Sequence, residues 1–208
     1  MLNRRILLLS GAASLGVLLA PRLGRAEDIP AEASQFVSVL AQKVIDVLKN
    51  KALSKDDRVK ALASVFLEGF DVRGIGLFVL GVYGHKASTS ERNDYLSVFK
   101  DYVVQTYAVR FNSYAGESFL VTKAAPDGDI GAWVTSGIGK PGEEPTEVQW
   151  RVRKEEDGFK IIDVVVEGVS LLVTQRSEFA SVLQRNNGNI ASLTELMRDK
   201  IVELRAKS

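Results

Sequence analysis

The 208-residue sequence contains no cysteine and a single histidine. Without cysteine there is no disulfide, no thioether-linked haem and no thiol nucleophile. One histidine, His85, excludes a multi-histidine metal site. Glycine-rich phosphate loops and dinucleotide fingerprints are missing too. Ser170, Ser177 and Ser181 lie in no GxSxG elbow. Basic residues do not gather into the clustered face that nucleic acid requires, so no nucleic-acid partner is expected. Beyond the N-terminus no apolar run approaches the roughly 18 residues of a membrane-spanning helix.

The N-terminus is different. Arg4 and Arg5 precede a charge-free apolar run from Ile6 to Ala20, and Gly24 and Ala26 place small residues at −3 and −1 of a cleavage site. Residues 1–26 therefore read as a secretory signal peptide, by the general or the twin-arginine route, with residues 27–208 as one domain. Four arginines leave with the signal, so 27 basic residues become 23 against 26 acidic ones, a formal charge of −3. The expected compartment is the periplasm.

Periodicity in the domain changes twice. Ala31–Asn50 carries Phe36, Val39, Leu40, Val44, Val47 and Leu48 at helical spacing. Ser54 with Asp57, and Ser88 with Glu91, read as N-caps of two further helices. Between them lies the apolar, glycine-bearing DVRGIGLFVLG. After Phe111 the period becomes two. Phe119–Thr122, Ala132–Ser136, EVQWRVRK and Phe159–Glu167 read as antiparallel strands. In EVQWRVRK, Val148, Trp150 and Val152 face one way. Helical spacing returns at Ser177–Gln184 and Ile190–Leu204. Helices, then an antiparallel sheet, then helices, is an α+β pattern. A curved sheet with helices enclosing an apolar cavity is expected, a cystatin-like or nuclear-transport-factor-like roll.

Few residues suggest chemistry. His85 reads as a loop histidine, since no orienting carboxylate is evident. Asp163, in the strand IIDVVV, is the one candidate base of an isomerase-like cone. By strand parity it shares a face with Ile161, Val165 and Glu167. Composition alone does not distinguish a filled cone from a hollow one.

Two stretches carry a resemblance. FDVRGIGLFVLGVYGHKASTSERNDYLSVFKDYVVQTYA spans Phe70 to Ala108, and FKIIDVVVEGVSLLVTQRSEFASVL spans Phe159 to Leu183. Together they resemble the MlaC family, the toluene-tolerance auxiliary proteins, with its hopanoid-associated relatives. The shared features are Phe70-Asp71, Phe78–Gly81, Ser88 to Arg92, Thr106–Ala108, Asp163–Leu171, Arg176 and Phe179. The sequence departs from the family pattern at Leu77, Gly84 and Gln175, which leaves room for a less anionic or more rigid lipid, sterol-like or hopanoid.

The resemblance implies a periplasmic lipid carrier without catalysis or cofactor. Its partners would be an MCE-domain inner-membrane complex with its ABC transporter and an outer-membrane lipoprotein complex, with transient membrane contact. The cavity wall is expected from Phe70, Phe78, Val79, Tyr83, Phe99, Val103, Tyr107, Trp133, Trp150, Val164, Val166, Val169 and Leu171. Val164–Leu172 is expected to be one wall strand bent at Gly168. Arg176 is expected to meet a headgroup or a partner.

Overall fold

Asp28 opens the first helix, its carboxylate accepting from the Ala31 amide at 3.2 Å, with Pro30 in the first turn. The computed structural model describes residues 28–111, 114–140 and 142–206, so the expected signal peptide lies outside the described residues. Helix α1 runs over Ile29–Lys49, α2 over Lys55–Gly69, and α3 over Val72–Leu80. A 3₁₀ turn at Gly81–His85 leads to α4, Thr89–Phe111. Both sequence-read caps are present. Ser54 accepts from the Asp57 amide, and Ser88 and Glu91 form a reciprocal capping box at 2.9 and 3.2 Å.

The strands are β1 Ser118–Pro126, β2 Gly131–Gly139, β3 Thr146–Glu155, β4 Gly158–Val166 and β5 Val169–Ser170. They form one open antiparallel sheet in the order β1-β2-β3-β4-β5. Helices α5, Leu171–Arg185, and α6, Ile190–Arg205, close the chain. The architecture is α+β, with six α-helices among the described residues.

Two apolar cores form. In one, Ala33, Val37 and Leu40 of α1 pack on Ala132, Val134, Val152 and Ile161 of the sheet. In the other, Val79, Leu80, Tyr95, Phe99, Phe179, Leu183 and Met197 join α3, α4, α5 and α6. The Tyr95 hydroxyl donates to the Gly76 carbonyl at 3.0 Å, and burial holds that phenol strongly protonated.

Two expectations about β4 are corrected. The strand carries a bulge. Arg151 pairs with Asp163 and Val152 with Ile161, so Ile162 has no partner. The extra residue reverses the parity: Ile161 faces the sheet core, and Asp163 lies on the opposite face with Val165 rather than beside Ile161. Further, Val164–Leu172 is not one strand. Glu167 and Gly168 both have positive φ, 48° and 80°, the mark of a two-residue hairpin turn, and α5 begins at Leu171. The sequence reading started this helix at Ser177.

Asp163 explains the early start. Its two oxygens accept from the Ser170 hydroxyl at 2.7 Å and the Leu172 amide at 3.2 Å. Ser170 in turn caps Val173 at 3.0 Å. A strand carboxylate thereby fixes the first turn of α5. Asp163→Ala is expected to cost about 1–3 kcal/mol, the penalty for stranding two donors, measured as a lower urea midpoint at unchanged slope. An unchanged midpoint would dismiss this anchoring role.

Candidate functional site

The two cores do not merge. Between them lies an apolar tract of three chambers that share walls. The central chamber, about 150 Å³, is bounded by Val37, Leu40, Ala41 and Val44 of α1, Leu62, Val65 and Phe66 of α2, and Trp150, Ile161 and Val164 of the sheet. Phe66, Phe70, Tyr107, Val164 and Leu171 form its common wall with an inner chamber of about 70 Å³, which Ile75, Val79, Phe99 and Val103 complete. Ala41, Val44 and Trp150 form the common wall with an outer chamber of about 280 Å³. The tract falls within the scale of known ligand pockets, roughly 300–1,000 Å³.

Aromatic rings partition it. Phe66 stacks on Phe70 at 4.3 Å and lies 6.2 Å from Tyr107, a column between the central and inner chambers. Trp150 meets Phe119 edge-on at 6.0 Å on the other side. Its indole N–H donates to the buried Ser136 hydroxyl at 2.9 Å, which fixes the ring plane. Ser136 donates onward to the Val148 carbonyl at 3.2 Å.

The structure brings together Phe70, Val79, Phe99, Val103, Tyr107, Trp150, Val164 and Leu171 of the residues expected at the wall. Five others stand apart from these chambers. Trp133 occupies the opposite sheet face, with the Arg151 guanidinium 5.4 Å from its ring. Tyr83 packs on the helical core beside Gly188. Val166 ends β4 opposite Val148, and Val169 is exposed on β5. Phe78 is 41% exposed and carries the Arg176 guanidinium 4.6 Å from its ring. A side chain built at Gly81 would meet that guanidinium at 3.4 Å, so Arg176 lies between a ring and a backbone turn.

The sequence reading omitted the whole α1–α2 contribution to the tract. Leu40 and Val44 on α1 were visible as periodicity and Val37 was not, but periodicity does not separate core from cavity wall.

Polar groups sit at the ends. Asp163 and Gln175 reach the inner chamber. Beyond Ile75, Ile162, Asp163 and Leu172 opens a vestibule of about 200 Å³ that also has Asp71, Phe78, Arg151 and Arg153 in its wall. At the far end Arg110, Tyr114 and Glu117 border the outer chamber. Burial pushes the Tyr107 phenol above its ordinary range, opposed by the Arg110 charge 5.4 Å from its ring. Arg151 is held more firmly charged by its hydrogen bond to Asp127. No group of acidic or histidine side chains among the described residues has metal-binding geometry, and no described helix is long and apolar enough to cross a membrane.

The family model described as "MlaC protein" matches residues 38–199. The chain belongs to the MlaC family. A solved structure with the same fold is the phospholipid-binding protein from Ralstonia solanacearum in complex with a phospholipid. It aligns with a TM-score of 0.73 at 19% identity, covering 84% of this chain and 99% of that one. The family is one of periplasmic lipid-binding proteins.

Val44 borders both the central and outer chambers from a half-buried helix position. Val44→Glu is expected to keep the fold, read by circular dichroism, and to cut bound lipid to about a tenth or less, because an unpaired carboxylate is costly inside an apolar chamber. Undiminished lipid in the folded variant would exclude this tract as the binding site.

Proposed function

We propose that this MlaC-family protein carries a glycerophospholipid through the periplasm, between an MCE-domain complex with its ABC transporter and an outer-membrane lipoprotein complex. The observation that carries the reading is the apolar tract between the two cores. Burying a methylene is worth about 0.8 kcal/mol, so roughly 30 methylenes of two acyl chains oppose exposure to water by about 20 kcal/mol or more. A chamber walled by Leu, Val and Phe offers the same surroundings as a bilayer. Transfer between the two is then close to neutral, and docking sets its direction.

The competing isomerase-like reading gives Asp163 the role of base. Both its oxygens already accept hydrogen bonds from the start of α5, which favours an architectural role over a catalytic one. The aromatic column of Phe66, Phe70 and Tyr107 divides the space into lanes suited to flexible chains, which favours acyl tails over a rigid hopanoid or sterol.

Extraction of the mature protein from its native host, followed by mass spectrometry, is expected to return about one diacyl phospholipid per chain. Lipid-free protein would refute the carrier reading, and a polycyclic terpenoid would replace the ligand class. Arg176 belongs to the same proposal as a partner contact. Among the described residues it has no carboxylate partner, and exposed Phe78, Val82 and Val173 lie on α3, the 3₁₀ turn and α5 around it. Arg176→Ala should slow transfer from loaded protein to the acceptor complex about fivefold, the scale of a moderate interface residue, while loading is retained. An unchanged transfer rate would remove Arg176 from the interface.

A further inference from the structure

We propose that the vestibule beside the inner chamber reads the headgroup, and that it selects a zwitterion, a phosphate ester joined to a primary ammonium, over a net anionic headgroup. The inference rests on the lipid-carrier reading and deepens it. Its starting point is the bulge at Ile162. Because of that extra residue, β4 presents Val164 to the apolar tract and Asp163 to the opposite face. Ile75, Ile162 and Leu172, together with the Asp163 carboxylate, border both the inner chamber and the vestibule, forming a waist that is apolar but for one acid. A lipid with its tails in the tract reaches the vestibule through that waist.

The vestibule wall carries both signs of charge, and Asp127 and Glu155, which bond its arginines from outside the wall, make the surroundings net acidic. Arg151 and Arg153 supply two positive charges, and Asp71 and Asp163 two negative ones. The arginines are held in place with donors to spare. Arg153 bonds Asp71 at 3.1 Å and Glu155 at 2.8 Å through one terminal nitrogen, leaving its Nε and the other terminal nitrogen uncommitted. Arg151 uses Nε and one terminal nitrogen on Asp127. A guanidinium has five N–H donors, so both keep N–H groups for a phosphate. The acids likewise retain lone pairs. Asp71 accepts from the Gly74 amide and from Arg153, and Asp163 from Ser170 and Leu172. An ionised carboxylate offers about four acceptor sites.

A headgroup with phosphate alone meets the arginines but adds negative charge among carboxylates that already outnumber them. A phosphate followed by a primary ammonium satisfies both sets. A trimethylated ammonium brings charge without N–H donors, so it gains less from the acids.

The test uses the mature protein loaded from vesicles of phosphatidylethanolamine, phosphatidylcholine and phosphatidylglycerol in equal amounts with identical acyl chains. Bound lipid is recovered and quantified by mass spectrometry. Ethanolamine lipid is expected to be enriched over glycerol lipid about fivefold, the scale of one hydrogen bond. Asp71→Asn with Asp163→Asn removes both negative charges while keeping cap acceptors, and is expected to invert the preference toward phosphatidylglycerol. Arg153→Gln should lower retention of phosphate-bearing lipid relative to diacylglycerol about fivefold, again the scale of one hydrogen bond. Equal uptake of the three lipids, or a preference that survives the paired Asn variant, would overturn the proposal. So would a preference altered by Arg110→Gln at the far mouth instead. A wild-type protein that takes up no lipid at all would refute the carrier reading itself, an outcome distinct from unselective uptake.

Discussion

Everything in this fold depends on keeping two apolar cores apart without letting the molecule come apart. Dense packing is the default for protein interiors, and a gap between apolar walls forfeits contact energy on both sides. The seam persists because its borders are fixed by polar and backbone links rather than by side-chain filling. Phe70 forms a parallel bridge to Ile161, and the Asp71 amide donates to the Ile161 carbonyl at 3.1 Å. Asp163 ties β4 to α5 on the other side of the same strand. The helical core therefore hangs from β4 at two points, and the space between those points and α1 remains apolar and open.

The chemistry of the seam matches this construction. Its centre has carbon walls apart from the Tyr107 phenol, and its charged groups are confined to the ends. The aromatic column of Phe66, Phe70 and Tyr107 is a stack of rings rather than a solid plug, with chamber space on both sides. Hydrocarbon makes no directional demand on such walls. Selectivity must come from the polar ends, where arginines stand beside carboxylates.

Much of the fold was legible in the sequence because local signals agreed with global packing. The Ser54 and Ser88 caps, the alternation through Val148, Trp150 and Val152, and the amphipathic stripe of α6 place their residues as found, and so does the α1 stripe apart from Val39, which is exposed. Where the reading failed, a single residue broke a period. Ile162 is indistinguishable from its neighbours by type, yet it carries the bulge that separates Ile161 from Asp163. Val169 to Val173 is as apolar as a strand, yet only Val169–Ser170 is one, and the helix from Leu171 depends on Ser170 and on a carboxylate seven residues before that serine. Trp133 and Trp150 are equally good wall candidates by composition. Register alone sends one to each face.

The bulge makes the inside-outside polarity of this wall depend on Ile162 staying out of the ladder. If Ile162 took a partner of its own, alternation from Ile161 would turn Asp163 and Val165 toward the greasy interior and leave Val164 and Val166 to meet water. An in-frame loss of Ile162 would instead give a regular strand with every remaining side chain on its present face. The wall can therefore shed this residue without changing what it shows to either side, but it cannot absorb it into the pairing.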